Sequence, residues 1–186
     1  DEIAPHARAE DAVGRETYRL WSRSFLGASI DLDETYEWGL ELLKSIVAEQ
    51  DSLAQQLYPG TSVADALRRL DDEERYLVHG VDALQEWMQD LSDRAVDSLA
   101  GTHFDIAEPL RRLECRIAPT HTGGIYYTGP SEDFSRPGGR MWWSVPHGGV
   151  DTFHTWQETT TVFHEGVPGH HLQIGRAVVL ADQLNR

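Results

Sequence analysis

FHEGVPGHHLQ, the stretch from Phe163 to Gln173, holds three of the chain's nine histidines, one glutamate and a Pro-Gly pair. A His-Glu pair is typical of metal-dependent hydrolases with the H-E-x-x-H arrangement, in which the second histidine follows the first by four residues. Here Pro168 occupies that fourth position, and His170 and His171 come two and three residues late. The stretch is therefore either a catalytic metal motif with an insertion or a chance product of composition.

A regular helix would keep these histidines apart. His170 would lie about 240° around the axis and roughly 9 Å along it from His164, and His171 would lie roughly 10.5 Å along it. Pro168 has no N–H to donate to the His164 carbonyl, and Gly169 tolerates backbone conformations that other residues avoid. We therefore predict that two residues bulge out and that His170 takes the place of the fourth residue. The alternative is that one helix ends at Pro168 and the later histidines begin the next helix by chance.

The bulk composition indicates one soluble globular region. The 186 residues are 40% hydrophobic and 25% charged, which is long and apolar enough for a sizeable core. Acidic residues outnumber basic ones by 31 to 16, a formal net charge of -15, which disfavours nucleic acid and anionic membranes as partners.

The sequence also bears on the compartment. No apolar run approaches membrane-spanning length, the polar N-terminus DEIAPHARAED is unlike a signal peptide, and the single Cys115 cannot form an internal disulfide. We expect Cys115 to be a small buried apolar residue and the protein to be cytoplasmic. A removed leader sequence would leave no trace in the chain.

The first hundred residues predict helices. Asp31 and Glu34 form a capping-box-like start, apolar residues then recur at helical spacing, and Pro59-Gly60 ends the segment. Ser62 predicts the cap of a shorter helix, and a third helix is expected over about 78–99.

The character of the sequence changes after Gly101. Prolines recur at short intervals, glycine pairs stand at 123–124, 138–139 and 148–149, and β-prone runs lie between them at 113–117, 125–128 and 140–145. These features predict a small antiparallel sheet. Helix is expected again from Thr155, which would form a capping box with Glu158. The order predicts an α+β, mostly helical fold, with a helical region at 1–101 and the sheet plus a metal-motif helix at 102–186.

FHEGVPGHHLQ resembles the signature H-E-x-x-P-G-H-H-x-Q of a large bacterial family of zincin-type metallopeptidases, long catalogued only as a domain of unknown function. Every fixed position of the signature is met, at His164, Glu165, Pro168, Gly169, His170, His171 and Gln173. Further segments resemble the family's helical region, its Tyr-Tyr-x-x-P segment and the strand before its motif helix; they are 14–39, 123–133 and 140–146. The resemblance covers most of the chain and implies a zincin-like core.

The resemblance also implies the roles of the motif residues. Zinc would be bound by His164 and by one histidine of the pair His170 and His171, and the bulge favours His170. Glu165 would be the general base that activates the water attacking a peptide carbonyl, while the metal acts as Lewis acid. The other histidine would support the zinc ligands without binding the metal, or it would face the substrate. The alternative is a non-catalytic helical module with a structural metal or none.

The family's third zinc ligand has no counterpart here. It is a glutamate in a downstream Gly-Trp-Ala-Leu-Tyr-Ala-Glu segment, and no such segment precedes Arg186. Glu158 points elsewhere on regular helix geometry, so it is a poor substitute. We therefore expect the chain to be an internal fragment of a larger enzyme. It should be inactive alone and prone to self-association through an apolar patch that includes Leu172, Ile174 and Val178.

Aromatic residues supply further candidates. Tyr126 and Tyr127 are adjacent in a predicted strand, so they face opposite sides and at most one faces the cleft. A phenol there could stabilise an oxyanion, and we assign Tyr127 as the catalytic candidate and Tyr126 as substrate-binding. Trp143 could line a cleft that holds an extended peptide. Core packing is the alternative for all three. Four further histidines are weaker ligand candidates: His103, His121, His147 and His154.

Overall fold

The computed structural model describes residues 11–122, 124–135 and 138–184. Gly123 and Pro137, which belong to predicted turns, and the polar N-terminal residues 1–10 lie outside them. The chain divides into two compact units, one ending at Ala66 and the other beginning at Leu67. The sequence analysis instead placed a boundary between a helical region and a sheet region after residue 101. That division stays a prediction.

The first unit is helical, as predicted. Helix α1 spans Arg15–Leu26, helix α2 spans Leu32–Leu57, and helix α3, Val63–Asp72, begins in this unit. The Asp31 side chain caps α2 by accepting hydrogen bonds from the backbone N–H groups of Asp33 and Glu34. This cap satisfies two backbone N–H groups that the helix itself leaves unpaired.

The start of α3 is also set by a capping residue. The Ser62 hydroxyl accepts a hydrogen bond of 3.1 Å from the backbone N–H of Asp65, which confirms the predicted cap of α3. Large apolar side chains remain exposed along α1 and α2, among them Trp21, Phe25, Trp38 and Leu43.

Besides the end of α3, the described part of the second unit combines three complete α-helices with two small sheets. Helices α4, α5 and α6 span Val81–Leu99, Thr155–Glu165 and His170–Val179. Strands β1 to β5 span Leu77–His79, Glu114–Ile117, Ile125–Thr128, Arg140–Trp143 and Thr152–His154. Strand β1 pairs with β5 antiparallel, while β4 lies between β2, to which it is parallel, and β3, to which it is antiparallel. The mostly helical α+β fold is confirmed, but the larger sheet is mixed rather than antiparallel.

Two local predictions in this unit are wrong. Val78 was placed in a helix, but it lies in β1 opposite Phe153, and α4 begins only after Gly80, whose φ of 88° is in the left-handed region. The capping box at Thr155 does not form, because the Thr155 hydroxyl donates instead to the carbonyl of Tyr76, at 3.0 Å. Val78 belongs to β1 and Thr155 bonds to the residue just before it, and the sequence pattern did not reveal this strand.

Two apolar clusters hold the second unit together. The larger lies among α4, the mixed sheet and α5; it comprises Leu84, Met88, Leu113, Cys115, Met141, Trp143, Val145, Phe153 and Val162. The smaller comprises Ala95, Val96, Ile106, Leu110 and Val167, with Leu172 packed against it. Each fully buried large apolar side chain stabilises the fold by about 1.5–3 kcal/mol. Because Val167 belongs to the smaller cluster, the segment between α5 and α6 is anchored in the core. Ile174, in the predicted apolar patch, is exposed.

In the part of the chain that the structure describes, no helix is both long and apolar enough to cross a membrane.

Cys115 is buried, as predicted, at 1% exposure. Burial raises the pKa of its thiol to about 11, and its sulfur lies 3.4 Å from the hydroxyl of Ser92. Because the thiolate is the reactive form, we expect the folded protein to be inert to a thiol reagent such as DTNB at pH 8. Unfolding in urea should release one reactive thiol per chain. Rapid stoichiometric reaction without urea would contradict this burial.

Candidate metal centre

The segment between α5 and α6 interrupts the helical hydrogen-bond ladder by two residues. The N–H of Gly166 donates to Val162, four residues back, at 2.8 Å. The N–H of Gly169 donates to the carbonyl of Phe163, six residues back, at 3.1 Å, and that of His171 donates to Gly166, five residues back, at 3.1 Å. Since a regular α-helix spans four residues, two extra residues are accommodated here. The Val167–Pro168 peptide bond within the turn is cis.

This ladder brings the two motif histidines together. The bond from Gly169 to Phe163 spans the two extra residues, and His164 and His170, which are also six residues apart, come close to each other. Their ring centroids lie 4.7 Å apart with an interplanar angle of 81°. The outcome combines both sequence hypotheses. The helix does end between the histidines, as the alternative held, and the extra residues do align His170 with His164, as the bulge hypothesis held.

Gly169 is required by space rather than by a positive φ. A Cβ atom at this position would lie 1.8 Å from the carbonyl oxygen of His164 and 2.7 Å from that of Phe163. Both neighbours are backbone atoms of α5, which cannot move aside without breaking the helix end. Any side chain at Gly169 would therefore separate the two helices, and with them the two histidines.

Three side chains of the motif could share a metal ion. His164, Glu165 and His170 each offer one ligand atom, and these atoms lie within 4.8 Å of one another. Within the described ranges, no other histidine, cysteine, aspartate or glutamate completes such a group of three. The cluster therefore omits Glu158 and all four weaker histidine candidates. Two imidazoles with a neighbouring carboxylate form a donor set that zinc accepts, so the residues fit this metal.

The side chains of His164 and Glu165 differ in their exposure to solvent. The His164 side chain is 67% exposed, whereas that of Glu165 is only 15% exposed, and the His164 Nε2 and Glu165 Oε1 atoms are 4.0 Å apart. The open side at His164 gives access to a ligand from solution. The more enclosed Glu165 carboxylate stands beside it.

His171 is not part of this cluster. It is fully buried, its Nε2 lies 2.8 Å from the carbonyl oxygen of Leu110, and its Nδ1 lies 3.0 Å from the hydroxyl of Tyr127. A carbonyl only accepts, so Nε2–H donates to Leu110 and Nδ1 accepts from Tyr127. Burial lowers the pKa of His171, which favours this neutral ring. With both nitrogens engaged, His171 has no lone pair for a metal; of the two candidates, His170 fits the ligand role.

The hydroxyl of Tyr127, the predicted catalytic candidate, is engaged by His171. Burial raises the pKa of Tyr127 to about 12. A Cβ at Gly139 would lie 2.1 Å from this hydroxyl, so a glycine makes room for the pair. Tyr127 thus joins β3 to α6 through His171, and its predicted oxyanion contact stays a prediction.

The two substrate-binding candidates are on opposite faces of the sheet. Trp143 is only 7% exposed and packs edge-on against Trp87 and Phe153, so it is a core residue and the predicted cleft role is corrected. Tyr126 is 39% exposed and stacks on Trp142, with ring centroids 6.3 Å apart. Substrate contact by Tyr126 stays a prediction.

The sequence assigned no role to three contributors to the site. Gln173 approaches the His170 ring, with 3.3 Å between its Oε1 and Nδ1, and its spacing of three residues on a helix could have suggested the contact. The carbonyl of Leu110 and the space at Gly139 hold His171. No sequence signal points to these two, because they lie far from the motif along the chain.

The space at Gly169 generates a test. We expect Gly169→Ala to lower the free energy of unfolding by about 1–3 kcal/mol, as overpacking does, and to weaken metal binding because the histidines separate. Gly39→Ala is the matched control, because a Cβ there meets nothing within 4 Å in the middle of α2. It should leave stability unchanged or slightly raised. Urea denaturation and zinc titration check both variants; Gly169→Ala equal to wild type in both assays would contradict the steric argument.

Comparison with known proteins places the chain in a family. No match was found among curated proteins. The solved structure of a protein described as "the putative lipoprotein from Colwellia psychrerythraea" is similar, with a TM-score of 0.66 and 22% identity. The match covers 97% of this chain and 32% of that one, so the chain spans about a third of the length of this relative. The family described as "Bacterial protein of unknown function (DUF885)" matches residues 1–186, and the chain belongs to it.

Proposed function

We propose that the protein hydrolyses peptide bonds with the help of a zinc ion held by His164 and His170. The observation that carries the proposal is the alignment of these two rings across the turn at Gly169, with Glu165 beside them. A turn that merely joined two helices would have no need to bring two imidazoles and a carboxylate within 4.8 Å. The resemblance of the motif to zincin signatures supports the same reaction.

The residues of the chain would divide the chemistry between them. When bound, zinc supplies Lewis-acid catalysis and makes water a better nucleophile at neutral pH. His164 and His170 bind as neutral imidazoles, which keeps the site positively charged. Glu165 accepts a proton from the attacking water and delivers it to the leaving amine, and its low exposure limits exchange of that proton with solvent.

The described residues offer fewer zinc ligands than a catalytic site usually has. Catalytic zinc sites usually have three protein ligands and one open position. If Glu165 is the base, the described residues offer two ligands, His164 and His170. We propose that a third ligand comes from another part of the protein, and that the isolated chain binds zinc weakly and lacks activity. Self-association of the isolated chain and a cytoplasmic location remain parts of the proposal.

Glu165→Gln separates catalysis from ligation. In the protein at its full encoded length, we expect the variant to keep its zinc and to lose about 10²–10⁴-fold in the rate of peptide hydrolysis, because an amide cannot accept the proton. Glu158→Gln makes the same change on the same helix, outside the cluster, and should retain activity within a factor of two. The measurements are zinc content and cleavage of a mixed peptide library followed by mass spectrometry.

Three outcomes would contradict parts of this proposal. Hydrolysis by Glu165→Gln within a factor of two of wild type would end the general-base role. Loss of zinc from Glu165→Gln alone would instead make Glu165 a ligand. Stoichiometric zinc in wild type with no cleavage of any peptide would favour a structural metal, the alternative function.

A further inference from the structure

The side chain of Gln173 holds one nitrogen of the His170 ring. Its Oε1 lies 3.3 Å from His170 Nδ1, one helical turn away on α6. The backbone N–H of Gln173 also donates to the carbonyl of Gly169, at 3.1 Å. Gln173 is therefore tied both to the residue that aligns the helices and to the ring that the alignment brings to the cluster.

This contact decides which nitrogen of His170 is available. A neutral imidazole has one N–H and one lone pair, and an amide oxygen only accepts. With the oxygen of Gln173 at Nδ1, that nitrogen carries the hydrogen and the lone pair is left on Nε2. If the amide were turned so that its N–H₂ group faced the ring, the hydrogen would move to Nε2 and the ring would present no lone pair to the cluster.

We propose that Gln173 is a positioning residue that fixes His170 as the Nδ1–H tautomer and directs Nε2 to the metal. The inference rests on the proposed function, because it assigns the ligand atom of the same site. Metal-binding histidines commonly donate their second N–H to a fixed acceptor, and loss of that acceptor typically costs about 10–100-fold in metal affinity. Gln173 would have this effect without touching the metal.

Three variants of the full-length protein test the proposal. Gln173→Ala removes the acceptor, Gln173→Glu keeps an oxygen acceptor of similar reach, and Arg176→Ala changes an exposed residue one turn further along α6. Zinc affinity is measured by competition with a chelator. We expect a loss of about 10–100-fold for Gln173→Ala, affinity within about threefold of wild type or tighter for Gln173→Glu, and no change for Arg176→Ala.

A second measurement needs no metal. Nitrogen-15 NMR of the metal-free protein, at a pH where the histidine rings are neutral, reports which nitrogen of His170 carries the hydrogen. We expect Nδ1–H in wild type and in Gln173→Glu, and a shift toward Nε2–H in Gln173→Ala. Nε2–H in wild type, or an unchanged tautomer in Gln173→Ala, would overturn the proposal.

The two measurements also separate this inference from the proposed function. If wild type binds no zinc but Gln173→Ala still changes the tautomer, the zinc function fails and the orienting role stands. If wild type binds zinc and Gln173→Ala or Gln173→Glu contradicts the expected affinities, the orienting role fails and the zinc function stands. Equal loss of zinc affinity in Gln173→Ala and Arg176→Ala would also overturn the orienting role, because any change on the surface of α6 would then weaken zinc binding.

Discussion

The hydrogen bond from the N–H of Gly169 to the carbonyl of Phe163 is the constraint on which the rest of the site depends. It spans six residues instead of four, and the rings of His164 and His170, which are also six residues apart, lie with their centroids 4.7 Å from each other. The absence of a Cβ at Gly169 permits it, since the neighbouring carbonyl of His164 leaves no space. The turn is anchored in the core by Val167, which belongs to the same buried apolar cluster as Leu110.

Predictions of the fold succeeded where the signals were local. Asp31 and Ser62 cap their helices because a short polar side chain reaches its own next turn, and that geometry can be read from spacing alone. Strand β1 was missed because it is three residues long and its partner, β5, lies some 75 residues away along the chain. The parallel pairing of β2 with β4 was missed for a related reason, since alternation of residues indicates a strand but not its neighbours.

Motif spacing indicated which side chains lie together in the cluster, whereas burial decided the positions of the neighbouring residues. His164, Glu165 and His170 lie together as the bulge argument required. The bulge argument favoured His170 over His171, but it gave no position for His171, because consecutive helical residues point about 100° apart and only the packed core shows which direction is inward. His171 faces the core, where Tyr127 holds it. Of the two adjacent histidines, His170 therefore lies at the cluster and His171 in the core, a difference that spacing alone does not show.

The most direct measurement is the zinc content of the purified full-length protein by elemental analysis, in wild type, His164→Ala and His121→Ala. His121 is exposed and lies outside the cluster, so its replacement controls for adventitious binding by surface histidines. The account predicts one zinc per chain in wild type and in His121→Ala, and loss of that zinc in His164→Ala. Equal, stoichiometric zinc in wild type and His164→Ala would contradict the claim that the turn at Gly169 builds a metal centre.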